Sequence, residues 1–398
     1  MSVESTVRWL HFNMEGAPVI HTGNDRIINA LDAILINGFT PKAASSLVVA
    51  DGVATVTFGS SHKFPMHSVI EVTGATPAEL NDVWRATGGY NTTTLTFNCP
   101  GIPDGAASGT INVKIAPIPH WEKRFSASGK AVYRNTHPNS FGRHLRVVEN
   151  VNEWYASFRG YIDMTDIDTG TGEYPTVAQR ADGNFMLQKG HSWIGGSGAG
   201  PNLQSKPWHC FGDIGGIFFG VAPMSYDTTY RTAFQYLVFL DFLPFDPADQ
   251  FAHLIYAEAN LNSWPNALFC TGDTTTTNRY APKNFDGSVS SVLTAFKTLN
   301  HGPANTPAAE RQSLSNDEDW FLYPWYMSMS ANASSRPRAI WPGLLGTFAG
   351  EINASENPNE LFFIHENGRV YKKQFASNSS SLCGTFLFDL TGPWRDEM

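Results

Sequence analysis

Charge is what this chain has least of. Only 16% of its 398 residues are Asp, Glu, Lys or Arg, well under the usual ~25%. What charge there is leans acidic, with a formal net charge of −9. No Lys/Arg cluster exceeds pairs such as Arg143/Arg146 and Lys372/Lys373. A nucleic-acid-binding face needs a basic patch, so nucleic acid is not an expected partner. No apolar run approaches the ~20 residues of a spanning helix, so no membrane role is expected. The first residues, MSVESTVRWLHFNMEGAPV, hold no apolar h-region of a secretory signal. Cysteine is scarce: Cys99, Cys210, Cys270 and Cys383 are scattered, with no CxxC pair. That spacing offers no zinc signature, and the four read as ordinary half-buried thiols of a chain folded in the cytosol.

What replaces charge is Thr, Ser, Asn and Gly, beside 42% apolar and 13% aromatic residues with 11 Trp. That balance suits a rigid all-β chain with a substantial core, not a disordered one. The densest strand pattern runs from Trp121 to Pro175. Ala131, Tyr133, Leu145, Val147, Trp154, Ala156, Phe158, Gly160 and Tyr161 fall at or near period two, broken by Ser128-Gly129, His137-Pro138-Asn139 and Thr169-Gly170-Thr171-Gly172. The pattern predicts three antiparallel strands and a Gly/Thr loop.

Several phrases here and later, KAVYRN, HLRVVEN, RGYIDMTDIDTGTGEYPT, FGDIGGIFFGVAP, FLDFLPFDPADQFAHL and the closing FDLTGPW, resemble a family of virion structural proteins of tailed bacteriophages. The resemblance spans nearly the whole chain, and none of its motifs is a catalytic signature. It implies a part of the particle's tail, baseplate or neck, assembled in the host cytoplasm. Copies of itself and other virion proteins would be its partners.

Residues 1–23 read as extended and partly exposed, broken by Gly16 and Pro18. One helix follows over about 24–37. Asn24 or Thr22 is its expected cap, Asp25 sits in the first turn, and Ile27, Ile28, Leu31, Ile34 and Leu35 form one face. Gly38 is the expected left-handed C-terminal cap. That face should pack on the sheet beginning at Phe125. Residues 44–116 hold six or seven short strands, opened by the Asp51-Gly52 hairpin signal. They predict a small Ig-like or barrel domain inserted between 1–43 and 117–398. The main domain is then a large antiparallel β-sandwich, so the class is mainly β. Residues 259–315 read as long polar loops, and Asn367-Gly368 marks a second hairpin.

No constellation carries chemistry by spacing alone. Asp163, Asp166, Asp168, Gly170 and Glu173 miss the EF-hand template, so an Asp turn bonding its own amides is expected. Gly195 to Gly200 lacks the following helix of a phosphate loop. His209-Cys210 near Asp213 reads as a buried, satisfied pair. No catalytic, cofactor-binding or metal-binding residue is therefore assigned, and no cofactor is expected. The aromatic run Trp320, Tyr323, Trp325 and Tyr326 is the best platform for a partner or a host surface glycan. A receptor- or polysaccharide-binding module is the second reading. A glycan hydrolase, which needs two placed carboxylates, ranks last.

Overall fold

The computed structural model describes residues 7–21, 25–149, 155–179, 186–188, 205–222, 234–257, 279–283, 287, 295–297, 322–328, 337–347, 363–366, 368–375 and 385–395. The chain is mainly β, as the composition and alternation imply. It begins with β1 (Arg8–His11). It is extended as expected, and all four of its residues are buried: β1 pairs antiparallel with a strand two hundred residues on, Arg8 opposite Gly212. Its arginine is tolerated inside because Nε donates to the Pro117 carbonyl at 3.1 Å.

Helix α1 (Arg26–Asp32) continues into a π-helical stretch, Ala33–Asn37. Ile27, Ile28, Leu31, Ile34 and Leu35 are buried, as their spacing predicts. The cap differs from the sequence expectation. Asp25 occupies the N-cap position in a left-handed conformation (φ 55°) and makes no side-chain cap bond. Thr22 and Asn24 lie outside the described residues. The first amides are taken instead by Glu149, described below. Gly38 is required for a different reason too. Its φ is positive but its ψ is −173°, and a Cβ there would meet the Ile115 carbonyl at 2.5 Å.

Seven strands then pair, among the described residues, only with one another: β2 (Lys42–Ala50), β3 (Val53–Phe58), β4 (Val69–Thr73), β5 (Val83–Gly88), β6 (Thr94–Asn98), β7 (Gly105–Ala106) and β8 (Asn112–Ile115). The order β3-β6-β5-β4-β8-β2 closes through a β2–β3 pairing into a six-strand barrel, with β7 added outside β2. Closure removes the exposed edges that short strands otherwise leave. Leu47, Val49, Val56, Leu95, Phe97 and Val113 fill the interior. The two flanks of the barrel differ outside. On β4 and β8, Glu71 and Lys114 form an ion pair at 3.1 Å. On β2, β3 and β6, the outward positions make three rungs: Ser46–Thr57–Thr94, Val48–Thr55–Thr96 and Ala50–Val53–Asn98. None of these nine residues is charged. Chain enters and leaves the barrel side by side, with the Phe39 amide on the Ile115 carbonyl (3.1 Å) and the Ile118 amide on the Ile34 carbonyl (2.8 Å).

The second sheet is β9 (Trp121–Ala127), β10 (Lys130–Asn135), β11 (His144–Glu149), β12 (Tyr155–Tyr161) and β15 (Met186–Gln188), with β13 (Asp163–Met164) and β14 (Gly170–Thr171) as a separate small ribbon. Four strands, not three, form its meander. Its inner face, Ala131, Tyr133, Leu145, Val147 and Phe158, shares one core with α1.

The third sheet is β16 (Trp208–Asp213), β17 (Gly216–Val221), β18 (Gln235–Asp241), β20 (His253–Ala257) and β21 (Arg279–Tyr280), with β1 at its edge. The fourth gathers β22 (Ala295–Lys297), β23 (Leu322–Ser328), β24 (Pro337–Thr347), β25 (Phe363–Glu366), β26 (Arg369–Phe375) and β27 (Thr385–Asp389), with β19 (Leu243–Pro244) paired to β24. The third sheet is sandwiched. Phe239 meets Trp121 of the second sheet at 6.2 Å between ring centroids. On the opposite face, Phe211 stacks on Phe388 at 3.9 Å and Phe218 on Trp341 at 5.3 Å. Every residue of β16, β17, β18 and β20 is buried. Strands covered on both faces are expected to be apolar throughout, which accounts for runs such as GIFFGV and QYLVFLD.

Candidate functional site

Of the four aromatics expected to form a platform, Trp320 lies outside the described residues, and Tyr323 and Trp325 are described as backbone positions of β23. Tyr326 is half-buried, and its ring lies 6.0 Å from that of Phe245, the planes 14° apart. The two come from strands flanking β24: Pro244 pairs with Ala339, and Tyr326 with Ile340. The Phe245 amide donates to the Arg338 carbonyl at 3.0 Å, which fixes the ring's position. Phe245 is 52% exposed. Near-parallel offset rings at this spacing make a flat apolar shelf. Such a shelf accepts the apolar face of a sugar ring or a partner's side chain. The sequence reading missed Phe245, whose signal was an apolar residue between Pro244 and Asp246, on a turn instead of in a core run.

Several titratable residues of the phrases quoted above are turned inward. Ser140 Oγ donates to Asp241 Oδ2 at 2.7 Å, and the Phe141 amide donates to the same oxygen at 2.9 Å. His253 Nε2 lies 3.8 Å from Asp241 Oδ1, and its Nδ1 lies 3.2 Å from the Tyr174 hydroxyl. Serine, acid and histidine are thus present, but in the wrong order for nucleophilic catalysis. The hydroxyl bonds the acid directly and the imidazole is turned to a tyrosine, so no base faces the serine. Burial pushes the Asp241 carboxyl above its ordinary range, against the pull of Arg395 and its two hydrogen bonds. Burial also holds His253 neutral, well below its ordinary value, helped by Arg143 and Arg395. The arrangement is a strut across two sheets.

The other acids of these phrases are used the same way. Glu149, at the end of HLRVVE, accepts the Ile27 and Ile28 amides at 3.0 and 3.1 Å and so caps α1. Tyr133 of KAVYRN donates its hydroxyl to Asp32 at 2.7 Å on the same helix. Asp213 accepts Arg395 Nε at 2.7 Å, and Asp249 holds Arg338 through both oxygens. Asp389 takes Arg369 on one oxygen and the Thr391 amide on the other, while Trp394 Nε1 donates to its carbonyl at 2.8 Å. In the Asp-rich turn, Asp166 Oδ1 accepts the Asp168 and Thr169 amides, both at 2.8 Å. Asp168 accepts Lys130 and Arg146. Both carboxyls are held below their ordinary range by those hydrogen bonds. His209 Nε2 lies 3.0 Å from the Tyr236 hydroxyl, and burial holds it neutral and keeps the Cys210 thiol protonated. Among the described residues, no group of three or more His, Cys, Asp or Glu is placed to hold a metal ion, and no helix is long and apolar enough to cross a membrane. Gly195 to Gly200, Cys270 and Cys383 lie outside the described residues.

In comparison with known proteins, no family model matches the chain, and neither does any curated protein.

Proposed function

We propose that this chain is a structural component of a tailed-phage virion, in the tail, baseplate or neck. It acts by self-assembly and by packing against other virion proteins, without catalysis or a cofactor. The resemblance of its phrases to virion proteins is one support. The observation that carries the reading is the use of the acids within those phrases. Glu149, Asp213, Asp241 and Asp249 each lock two distant segments together, and Asp389 ties the neighbouring strands β26 and β27. Residues spent on rigid internal struts suit a building block that must hold its shape within an assembly. Such parts are by default symmetric homo-oligomers.

The test is the solution mass of the purified chain by light scattering. A defined ring or other closed oligomer is expected. A single-chain mass that persists when candidate virion neighbours are mixed in would sink the proposal.

The exposed Phe245–Tyr326 shelf favours a second reading, a module that binds host surface polysaccharide. A glycan array separates the two. Under the second reading the wild type binds and Phe245→Ala abolishes the signal. Under the first, neither protein binds.

A further inference from the structure

Three adjacent strands of the barrel present three rungs with no charge, and a sheet face left to solvent does not ordinarily look like that. Exposed strands normally carry Lys or Glu, which keep them soluble and unpaired. Here the three rungs across β2, β3 and β6 offer hydroxyls, methyls and an amide only. Val48 is 42% exposed and Val53 36%, both β-branched residues facing solvent. The rungs extend sideways, since Val48 also pairs with Ala106, and the Thr87 hydroxyl lies 3.0 Å from that of Thr96. Closure of the barrel leaves this as a face and not an edge, so its partner must dock flat.

From this flank we infer a homotypic contact, with a second copy of the same chain docking face to face across the Thr/Val rungs. The inference rests on the assembly reading above and names the surface that serves it. Charge selects the occupant. Each copy carries a net −9, so two copies repel except where neither presents an acid. A basic partner would be drawn to acids, and this flank has none. Threonine hydroxyls both donate and accept, so a threonine face is complementary to itself. The nearest acids, Asp51 and Asp104, sit together at the Ala50–Val53 end, where the Asp51 amide bonds the Asp104 carboxylate at 3.0 Å. A two-fold axis through the middle rung therefore runs the facing strands antiparallel and sends these acids to opposite ends. The three strands and their three uncharged rungs cover about 300 Å² a side, or ~600 Å² for the pair, from strand and residue spacing. That is below the ~1,000 Å² of a stable specific interface and in the range of a weak, transient one. The contact is accordingly reversible in solution and gains strength where many copies are held together.

The experiment compares the full-length wild type with the double variant Thr55→Glu/Thr96→Glu by sedimentation velocity across a hundredfold concentration range. The expected result is a concentration-dependent wild-type mass and a twofold lower limiting mass for the variant, with unchanged melting. Val177→Glu, at a residue 69% exposed and outside the barrel's strands, should leave the mass unchanged. A second variant, Thr55→Cys, should form a disulfide-linked pair of chains on oxidation, because Thr55 lies in the middle rung. An oligomer that both Thr55 variants leave unaltered and uncrosslinked overturns this face and leaves the assembly reading standing. A single-chain wild-type mass at every concentration, with no crosslink, overturns this face, and the assembly reading falls with it only if that mass persists in the presence of candidate virion neighbours.

Discussion

The carboxylate of Glu149 closes the N-terminus of a helix 122 residues earlier in the chain, accepting the Ile27 amide at 3.0 Å and the Ile28 amide at 3.1 Å. It does so while 3% exposed. A helix begins with amides that no earlier carbonyl can satisfy, and its dipole favours a negative group there. Glu149→Ala removes both acceptors inside the core and should cost about 2–4 kcal/mol. Glu149→Gln, which keeps one acceptor, should cost about half as much by the same reasoning. Thermal melts of both variants check this, and equal melting for wild type and Glu149→Ala would refute the cap.

Stability should fall as pH drops below neutrality. Burial holds His209 and His253 well below the ordinary histidine value, lowers His62 and His144, and lowers His67 to about 4. The His67 ring sits 5.3 Å from His365, whose charge adds to the lowering. A depressed folded pKa means the unfolded chain takes the proton first. The stabilisation is therefore complete above pH 6.5 and lost as pH falls toward the folded values, by up to ~1.4 kcal/mol per pH unit for each histidine. Asp241, raised by burial, works in the opposite sense, relieving part of the loss as pH falls through its raised value. Urea melts at a series of pH values between 7.5 and 5 should show a steady decline that is shallower in His67→Gln. No change across the series would contradict the buried neutral assignments.

Arg338 and Asp249 form a buried ion pair, with side chains 3% and 2% exposed. The Arg338 NH2 group donates to Asp249 Oδ1 at 2.7 Å, and its NH1 group to the Lys283 carbonyl at 3.0 Å. Removing one partner strands the other charge. Arg338→Leu should cost about 3–5 kcal/mol, and adding Asp249→Asn should restore a substantial part. A double-mutant cycle measures this, and strictly additive losses would count against the pair.

Gly343 has φ +69°, and a Cβ there would lie 1.9 Å from the Trp394 ring. Gly343→Ala should displace Trp394 from its place against Phe218 and cost about 3 kcal/mol or more, clash and backbone strain together. Acrylamide quenching of tryptophan fluorescence should rise. In a Trp394→Ala background the same change should cost only about 1 kcal/mol, the positive-φ part alone. A full cost in that background would refute the clash.

Local patterns carried far in the sequence and long-range partners did not. Ile27, Ile28, Leu31, Ile34 and Leu35 announced the helix, and Asp51-Gly52 the first hairpin of the barrel. Turn chemistry and periodicity are encoded within a few residues. The helix cap was misread because its acceptor lies on β11, where no local motif reaches. The burial of RWLH within a stretch read as extended and partly exposed was not legible, because four residues hold too few positions to reveal burial on both faces. The sandwich expectation lacked a layer for a related reason. Continuous apolar runs such as QYLVFLD say that both faces are covered, but not by which elements. The Phe245–Tyr326 shelf needed two strands brought to either side of β24, which sequence spacing does not record.

The paired backbones at the foot of the barrel have a mechanical consequence. The Phe39 amide is bonded to the Ile115 carbonyl, and the Ile118 amide to the Ile34 carbonyl. Tension travelling along the main body crosses from residue 34 to residue 118 through that bond and skips the eighty-odd residues between. A load applied to the barrel's outer flank is divided between two adjacent tethers, neither of which pulls the barrel's strands apart. The barrel can therefore transmit force to the body, or be spared it, without unravelling.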